Sequence, residues 1–185
     1  MANKVEFGIS NLHVGTWTEG ENGAVTLGTP YHQKGAVSFS PEQDSENNTF
    51  YADDIAYWSE YTDGPFEGDL TVALFDDTFK TQFMGYAQLV DGGLAQVKNA
   101  VKPNVYIAFE VKGDTEKRRC IFYNCSLGVI TREYATIEDT KEPATEALGI
   151  TCTGDNNTGA MKATYKPGDA GYDTLFTNPS APALP

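Results

Sequence analysis

Two stretches of this chain repeat their apolar residues with a period of two, which is the geometry of a strand and not of a helix. In Val105–Val111, Val105, Ile107, Phe109 and Val111 share one side, while Tyr106, Ala108 and Glu110 take the other. In Arg119–Leu127, Ile121, Tyr123, Cys125 and Leu127 alternate with Cys120, Phe122, Asn124 and Ser126. Leu70, Val72 and Leu74 repeat the pattern on a smaller scale. Twenty Thr, ten Tyr and ten Phe against three Met give the same preference, because β-branched and aromatic side chains fit a pleated surface. With 185 residues the chain fits one domain. A domain of this size buries about 70% of its unfolded surface and needs no disulfide framework.

Further strands are expected at Lys4–Ile9, Ala36–Ser40, Thr49–Asp53, Glu146–Thr153 and Ala160–Tyr165. Lys112-Gly113-Asp114 reads as one hairpin turn, and Gly154–Gly159 as another. Pro41–Asn48 and Tyr57–Gly68 read as connections between strands. One helix is expected at Asp76–Met84. The Asp pair caps its start, Phe79 and Phe83 lie on one face, and Gly85 stops it. The last eight residues, Asn178–Pro185, hold three prolines and cannot join a ladder. The expected organisation is a single domain over residues 1–177, with 1–34 as a candidate arm and 178–185 as a Pro-rich tail. The expected class is mainly β: a β-sandwich or partly closed barrel with one short flanking α-helix.

Charge is distributed unevenly. No Lys or Arg lies between Lys34 and Lys80, whereas 11 of the chain's 26 acids do; the formal net charge is -13. Phe50, Tyr51, Tyr57, Trp58, Tyr61 and Phe66 are interleaved with those acids, which distinguishes the stretch from an acidic disordered tail. It reads as an ordered surface of one sign, either simply solvated or built to repel an anion. Phosphate binding needs clustered bases, so a nucleic-acid reader is excluded at the level of charge. No run of about 18 apolar residues is present to span a membrane, and Met1–Phe7 lacks the apolar stretch of a signal peptide. Synthesis in a cytoplasm is the expectation. Three cysteines, Cys120, Cys125 and Cys152, are an odd number; the first two read as strand packing and the set is too sparse for a metal.

Catalytic constellations are weak. Asp53-Asp54 and Asp76-Asp77 are the adjacent carboxylate pairs, but neighbours on a strand point apart and the second pair caps a helix. No nucleophile elbow or phosphate-cradling loop occurs. Asp155–Gly159 lacks the Gly and Glu of a calcium loop. No enzyme, cofactor or metal is expected.

The order of Lys4–His13, Gly28-Thr29-Pro30, Gly35–Ser40, Phe50–Ile55, Gly68–Leu74, Asp76–Phe79, Arg118–Cys125 and Glu142–Glu146 resembles the major tail protein, or tail tube protein, of long-tailed siphophages of Gram-positive bacteria. The resemblance covers roughly Lys4 to Tyr165. It implies a tail-tube-like fold, similar to the tube protein of type VI secretion, and a structural virion protein assembled in the host bacterial cytoplasm. The implied subunits form stacked hexameric rings, a tail tube around the tape measure protein that later conducts DNA during ejection without binding it specifically. The implied partners are further copies of the chain, the tape measure protein, and the tail terminator and distal tail proteins, with no membrane. Some relatives add an immunoglobulin-like domain; this sequence stops at its Pro-rich tail.

Within that frame, Phe50, Tyr51, Asp53, Asp54, Tyr57, Trp58 and Tyr61 are the candidate subunit or ring contacts. Glu42, Asp44, Glu46, Glu60 and Asp63 are the candidate bore-lining acids. The competing class is a carbohydrate- or protein-binding β-sandwich that stacks ligands on Tyr57, Trp58 and Tyr61. A third is a glycosidase built on dispersed carboxylates.

Overall fold

The computed structural model describes residues 8–134, 136 and 143–185. Lys4–Phe7 of the first expected strand and Glu142 lie outside the described residues. The core is organised by β8 (Asn104–Val111) and β9 (Arg119–Arg132), paired antiparallel and joined by residues 112–118, a longer connection than the turn expected at Lys112–Asp114. The sheet runs β2 (Val25–Leu27), β1 (Ile9–Glu19), β8, β9, β10 (Glu146–Cys152), β5 (Ile55–Val72), β4 (Ala36–Ala52); β3 (Tyr31–His32) pairs with β1, and β11 (Lys162–Tyr165) with β9. β6 (Ala87–Gln88) and β7 (Leu94–Ala95) form a separate small ribbon. Among the described residues the fold is mainly β and antiparallel, with one helix, and the sheet does not close into a barrel.

The sheet folds over on itself. β9 is long enough to serve both layers: its first half pairs with β8, and its second half with β10. Asn124, with φ of 48°, marks the change of pairing. Phe39 and Phe66 of the β4–β5 layer then meet Phe109 and Phe122 of the β8–β9 layer edge to face, with Phe39–Phe122 at 5.2 Å and Phe66–Phe122 at 5.4 Å. This geometry adds about 1 kcal/mol per ring pair beyond burial. Leu12, Val14, Leu70, Val72, Val105, Ile107 and Leu148 complete the core. On the other side of β8, Tyr106 and Ala108 are equally buried, with Trp17, Ile121, Tyr123 and Leu175. Both predicted faces of Val105–Phe109 are therefore inside.

The helix α1 (Asp77–Met84) forms as the sequence indicates. Asp76 accepts from the Phe79 N–H at 2.8 Å, and Gly85 takes the left-handed conformation that ends the helix. Phe79, Phe83 and Met84 are buried, and Phe79 stacks on Phe75 at 4.6 Å. Tyr31 donates to the same Asp76 carboxylate; burial and then that carboxylate push its phenol up to about 12. At the other side of the helix the buried Glu146 accepts from the Phe75 N–H at 2.8 Å and pairs with Lys80 and Arg132, each at 3.4 Å.

Several expectations are corrected. From Ile9 the N-terminal segment is a strand with Leu12, Val14 and Trp17 buried, so that part is core and not an arm. Gly154–Gly159 does not join a hairpin: β10 and β11 follow the same edge of β9, and residues 153–161 are an excursion between them. Cys125 and Cys152, directly opposite in the β9–β10 ladder, are bonded as a disulfide, where Cys125, like Cys120, was expected only to pack within its strand. The C-terminal segment also packs. Phe176 stacks on His13 at 4.6 Å and lies under the Arg119 guanidinium at 4.6 Å; Arg119 donates to the Tyr172 carbonyl at 2.6 Å, and Pro179 is buried.

Candidate assembly surface

Pro41–Asn48 and Tyr57–Gly68, expected as connections, are the bodies of β4 and β5, which pair along one long hairpin from Ala36/Val72 to Ala52/Ile55. The turn is Asp53-Asp54, both at positive φ (51° and 61°). That is the combination a two-residue hairpin turn demands to match strand twist. Asp tolerates it better than most residues because its short side chain is compatible with the left-handed region. Gly68 is required at the base: a Cβ there would lie 2.0 Å from the Ser40 carbonyl oxygen. Pro41 is accommodated because β4 is an edge strand.

β5 is held by β10 only from Phe66 onward. Beyond Gln43 and Phe66 the hairpin stands free, and Ser45–Ala52 with Ile55–Asp63 pair only with each other. At about 3.3 Å per residue it extends about 25–30 Å from the body. Its distal half carries large exposed apolar side chains: Phe50 (59% exposed), Tyr51 (66%), Ile55 (62%), Tyr57 (74%), Trp58 (50%) and Tyr61 (68%). Every candidate contact residue thus lies on this projection, with Asp53 and Asp54 at its tip. Soluble monomers rarely expose contiguous apolar surface of this kind without a partner for it.

Register separates the two faces. The pairs Glu42–Glu67, Glu46–Thr62, Asn48–Glu60 and Phe50–Trp58, with Asp44 between them in alternation, form one face. Ser40–Asp69 continues that face onto the body. Leu70 and Phe66 turn inward; Glu67 and Asp69 stay exposed. Glu42, Asp44, Glu46 and Glu60 therefore share a face with Glu67 and Asp69. Like charges directly opposite on neighbouring strands destabilise a sheet, and Glu42 faces Glu67. Folding alone gives no reason to place them so. Asp63, opposite Ser45, is on the reverse face with Tyr61, opposite Asn47; there Ser59 donates to Asn47 at 2.6 Å.

The expected Tyr57–Trp58–Tyr61 stacking platform is divided by the same register, since Trp58 and Tyr61 belong to opposite faces and Tyr57 is the extra residue of a bulge at Phe50/Tyr51. Glu67 and Asp69 were overlooked as members of the acidic face. Their alternation with Phe66, Gly68 and Leu70 was legible, but pairing with β4 was not. His13 and His32, distant in sequence, are cross-strand neighbours with rings 4.8 Å apart. Burial, the largest influence, lowers the His13 pKa. Among the described residues no group of three His, Cys, Asp or Glu is arranged to hold a metal ion, and no helix is long and apolar enough to cross a membrane.

Fold and surface together define a mainly β structural module whose prominent exposed feature is a projecting, one-signed hairpin. Residues 2–168 match the phage tail tube protein family. The chain belongs to that family, as a structural protein of the phage tail. A solved structure with a similar fold is the cap of the anti-feeding prophage, the AFP tube terminating cap. It has a TM-score of 0.51 at 10% identity, over 89% of this chain and 95% of that one. No curated protein matches.

Proposed function

We propose that this chain assembles with copies of itself into stacked hexameric rings, the tail tube of a siphophage of Gram-positive bacteria, and that the tube conducts DNA during ejection. Its partners would be the tape measure protein within and the terminator and distal tail proteins at the ends. The observation that carries this reading is the face shared by Glu42, Asp44, Glu46, Glu60, Glu67 and Asp69. A lumen of that sign repels the phosphate backbone, so DNA slides and does not stick. The open sheet ends in β4 on one side and β2 on the other. Ring closure would pair or cover such edges, which are otherwise an aggregation hazard.

Two experiments test this. Negative-stain microscopy of concentrated protein should show rings and tubes; a monomer at every concentration would count against assembly. Phage carrying Glu42→Lys, Asp44→Lys and Glu46→Lys together should build tails but eject DNA slowly, because each Lys holds phosphate. Normal ejection kinetics from intact mutant tails would place these acids outside the bore.

A further inference from the structure

Val105, Cys125, Cys152, Phe66 and Gln43 form one row of paired residues across β8, β9, β10, β5 and β4. It is the last row in which the body holds the β4–β5 hairpin, because beyond Phe66 the only strand beside β5 is β4. The disulfide lies in that row, one strand away from the hairpin's root. Thr153, the next residue, donates its N–H to the Asn124 carbonyl at 3.1 Å. Cys125 and Cys152 thus occupy the narrow, non-hydrogen-bonded pair, where facing side chains approach most closely. They are 0% and 1% exposed and belong to the same core as Phe66. Apart from the bond, this end of β10 is weakly held. The ladder shifts register between Leu148 and Ile150, and Gly149 at the shift has no side chain to pack. Ile150, Thr151 and Cys152 are thereby separated from the half of β10 that Glu146 ties to Phe75, Lys80 and Arg132. They are also the residues that hold Gly68, Glu67 and Phe66 of the hairpin's root. A chain of 185 residues needs no staple to fold, which leaves a local duty for the bond.

We propose that Cys125 and Cys152 are a redox latch on the root of the hairpin, a dithiol in the subunit as it is made and a disulfide in the released particle. The first state rests on the reading of the chain as a tail subunit made inside a cell, where thiols are kept reduced. In that state the end of β10 opens and closes, and the root of the hairpin yields with it. The bond closes by exchange with a low-molecular-weight disulfide during such an opening, because buried sulfurs meet no reagent otherwise. One cysteine thiolate attacks the small disulfide, forming a mixed disulfide and releasing one small thiol. The other cysteine attacks the protein sulfur of that intermediate and releases the second. Two protons and two electrons leave the cysteines, and the small disulfide is reduced to two thiols. The product fixes the row, and with it the direction in which the hairpin leaves the body.

Hydrogen exchange followed by NMR tests it on the protein in both states. The dithiol form is prepared by unfolding and refolding under reductant, and the disulfide form by adding oxidised glutathione. In the disulfide form the amides of Thr151 and Cys152 should exchange within about threefold of Ile107 and Phe122 in the β8–β9 core; in the dithiol form they should exchange about tenfold or more faster than that core. Comparison with the core inside each form removes the general stabilisation that any cross-link brings. Cys125→Ser combined with Cys152→Ser should show the dithiol pattern in both buffers; should it fail to fold, the unaltered protein in its two states still decides. Exchange in step with the core in both forms overturns the latch. Bacterial cells producing the chain, quenched in acid and alkylated after denaturation, should yield both cysteines as thiols. A bond already present there overturns the change of state. Neither measurement requires rings to form, so a chain that never assembles counts against the tube reading alone.

Discussion

Glu146 ties three parts of the fold together, and its removal has a calculable effect. One oxygen accepts from the Phe75 N–H at 2.8 Å; the other meets Lys80 of α1 and Arg132 of β9 at 3.4 Å each, and the side chain is 5% exposed. Glu146→Ala leaves the buried Phe75 N–H without a partner, which costs about 1–3 kcal/mol. The two ion pairs add about 1 kcal/mol together, discounted because Lys80 and Arg132 reach water. The expected loss is about 3 kcal/mol, which lowers Tm by about 6–12 °C for a domain of this size. Glu146→Gln keeps an acceptor for Phe75 and loses only the charge, about 1 kcal/mol, so its Tm should fall about a third as far. Thermal unfolding followed by circular dichroism measures both. If Glu146→Ala unfolds within about 2 °C of the unaltered protein, or if Gln and Ala are equivalent, the hydrogen bond to Phe75 does not dominate and the reasoning fails.

Three further outcomes are expected. Removing residues 183–185 should leave Tm unchanged, while removing 178–185 should cost about 1–2 kcal/mol because Pro179 is buried; equal stability of the two truncations would show that the tail contributes nothing. Denatured, unreduced protein should show one thiol by alkylation and mass spectrometry, that of Cys120, since Cys125 and Cys152 are bonded; three alkylated cysteines would reject the disulfide. Arg118, with the N–H groups of Glu116 and Arg118 itself, holds the Asp114 carboxyl down at about 2. Its support of the β8–β9 turn is thus full above the unfolded value near 4 and lost as pH falls through about 2. An NMR titration placing Asp114 near 4 would contradict this.

The elements with one wet and one dry face, or two dry faces, were readable along the chain. Leu70–Val72, Val105–Val111, Arg119–Leu127 and Glu146–Cys152 all show their strands in alternation or apolar density, and α1 shows its cap and its Phe pair. The free hairpin hid for the opposite reason. Glu42–Asn48 and Tyr57–Asp63 have water on both faces, so no alternation is imposed and the residues read as loop. What survived there was composition: the missing bases and the exposed rings correctly isolated the stretch, but not its register. Pairings between distant segments, such as Cys125 with Cys152 or His13 with His32, leave no local trace at all.

The strand order also determines how the subunit comes to exist. β4–β5 and β8–β9 are hairpins between successive strands, but Val14 lies opposite Ile107 and Leu70 opposite Leu148, so the sheet closes only when most of the chain has been made. Local hairpins form in microseconds, whereas folds dominated by distant pairings take milliseconds to seconds. Until β10 arrives, the flank of β5 opposite β4 is bare. A refolding trace should therefore be slow and governed by the docking of the β10 segment; completion within about a millisecond in stopped flow would rule this out. Synthesis rate, and not subunit concentration alone, then sets how fast competent building blocks are supplied.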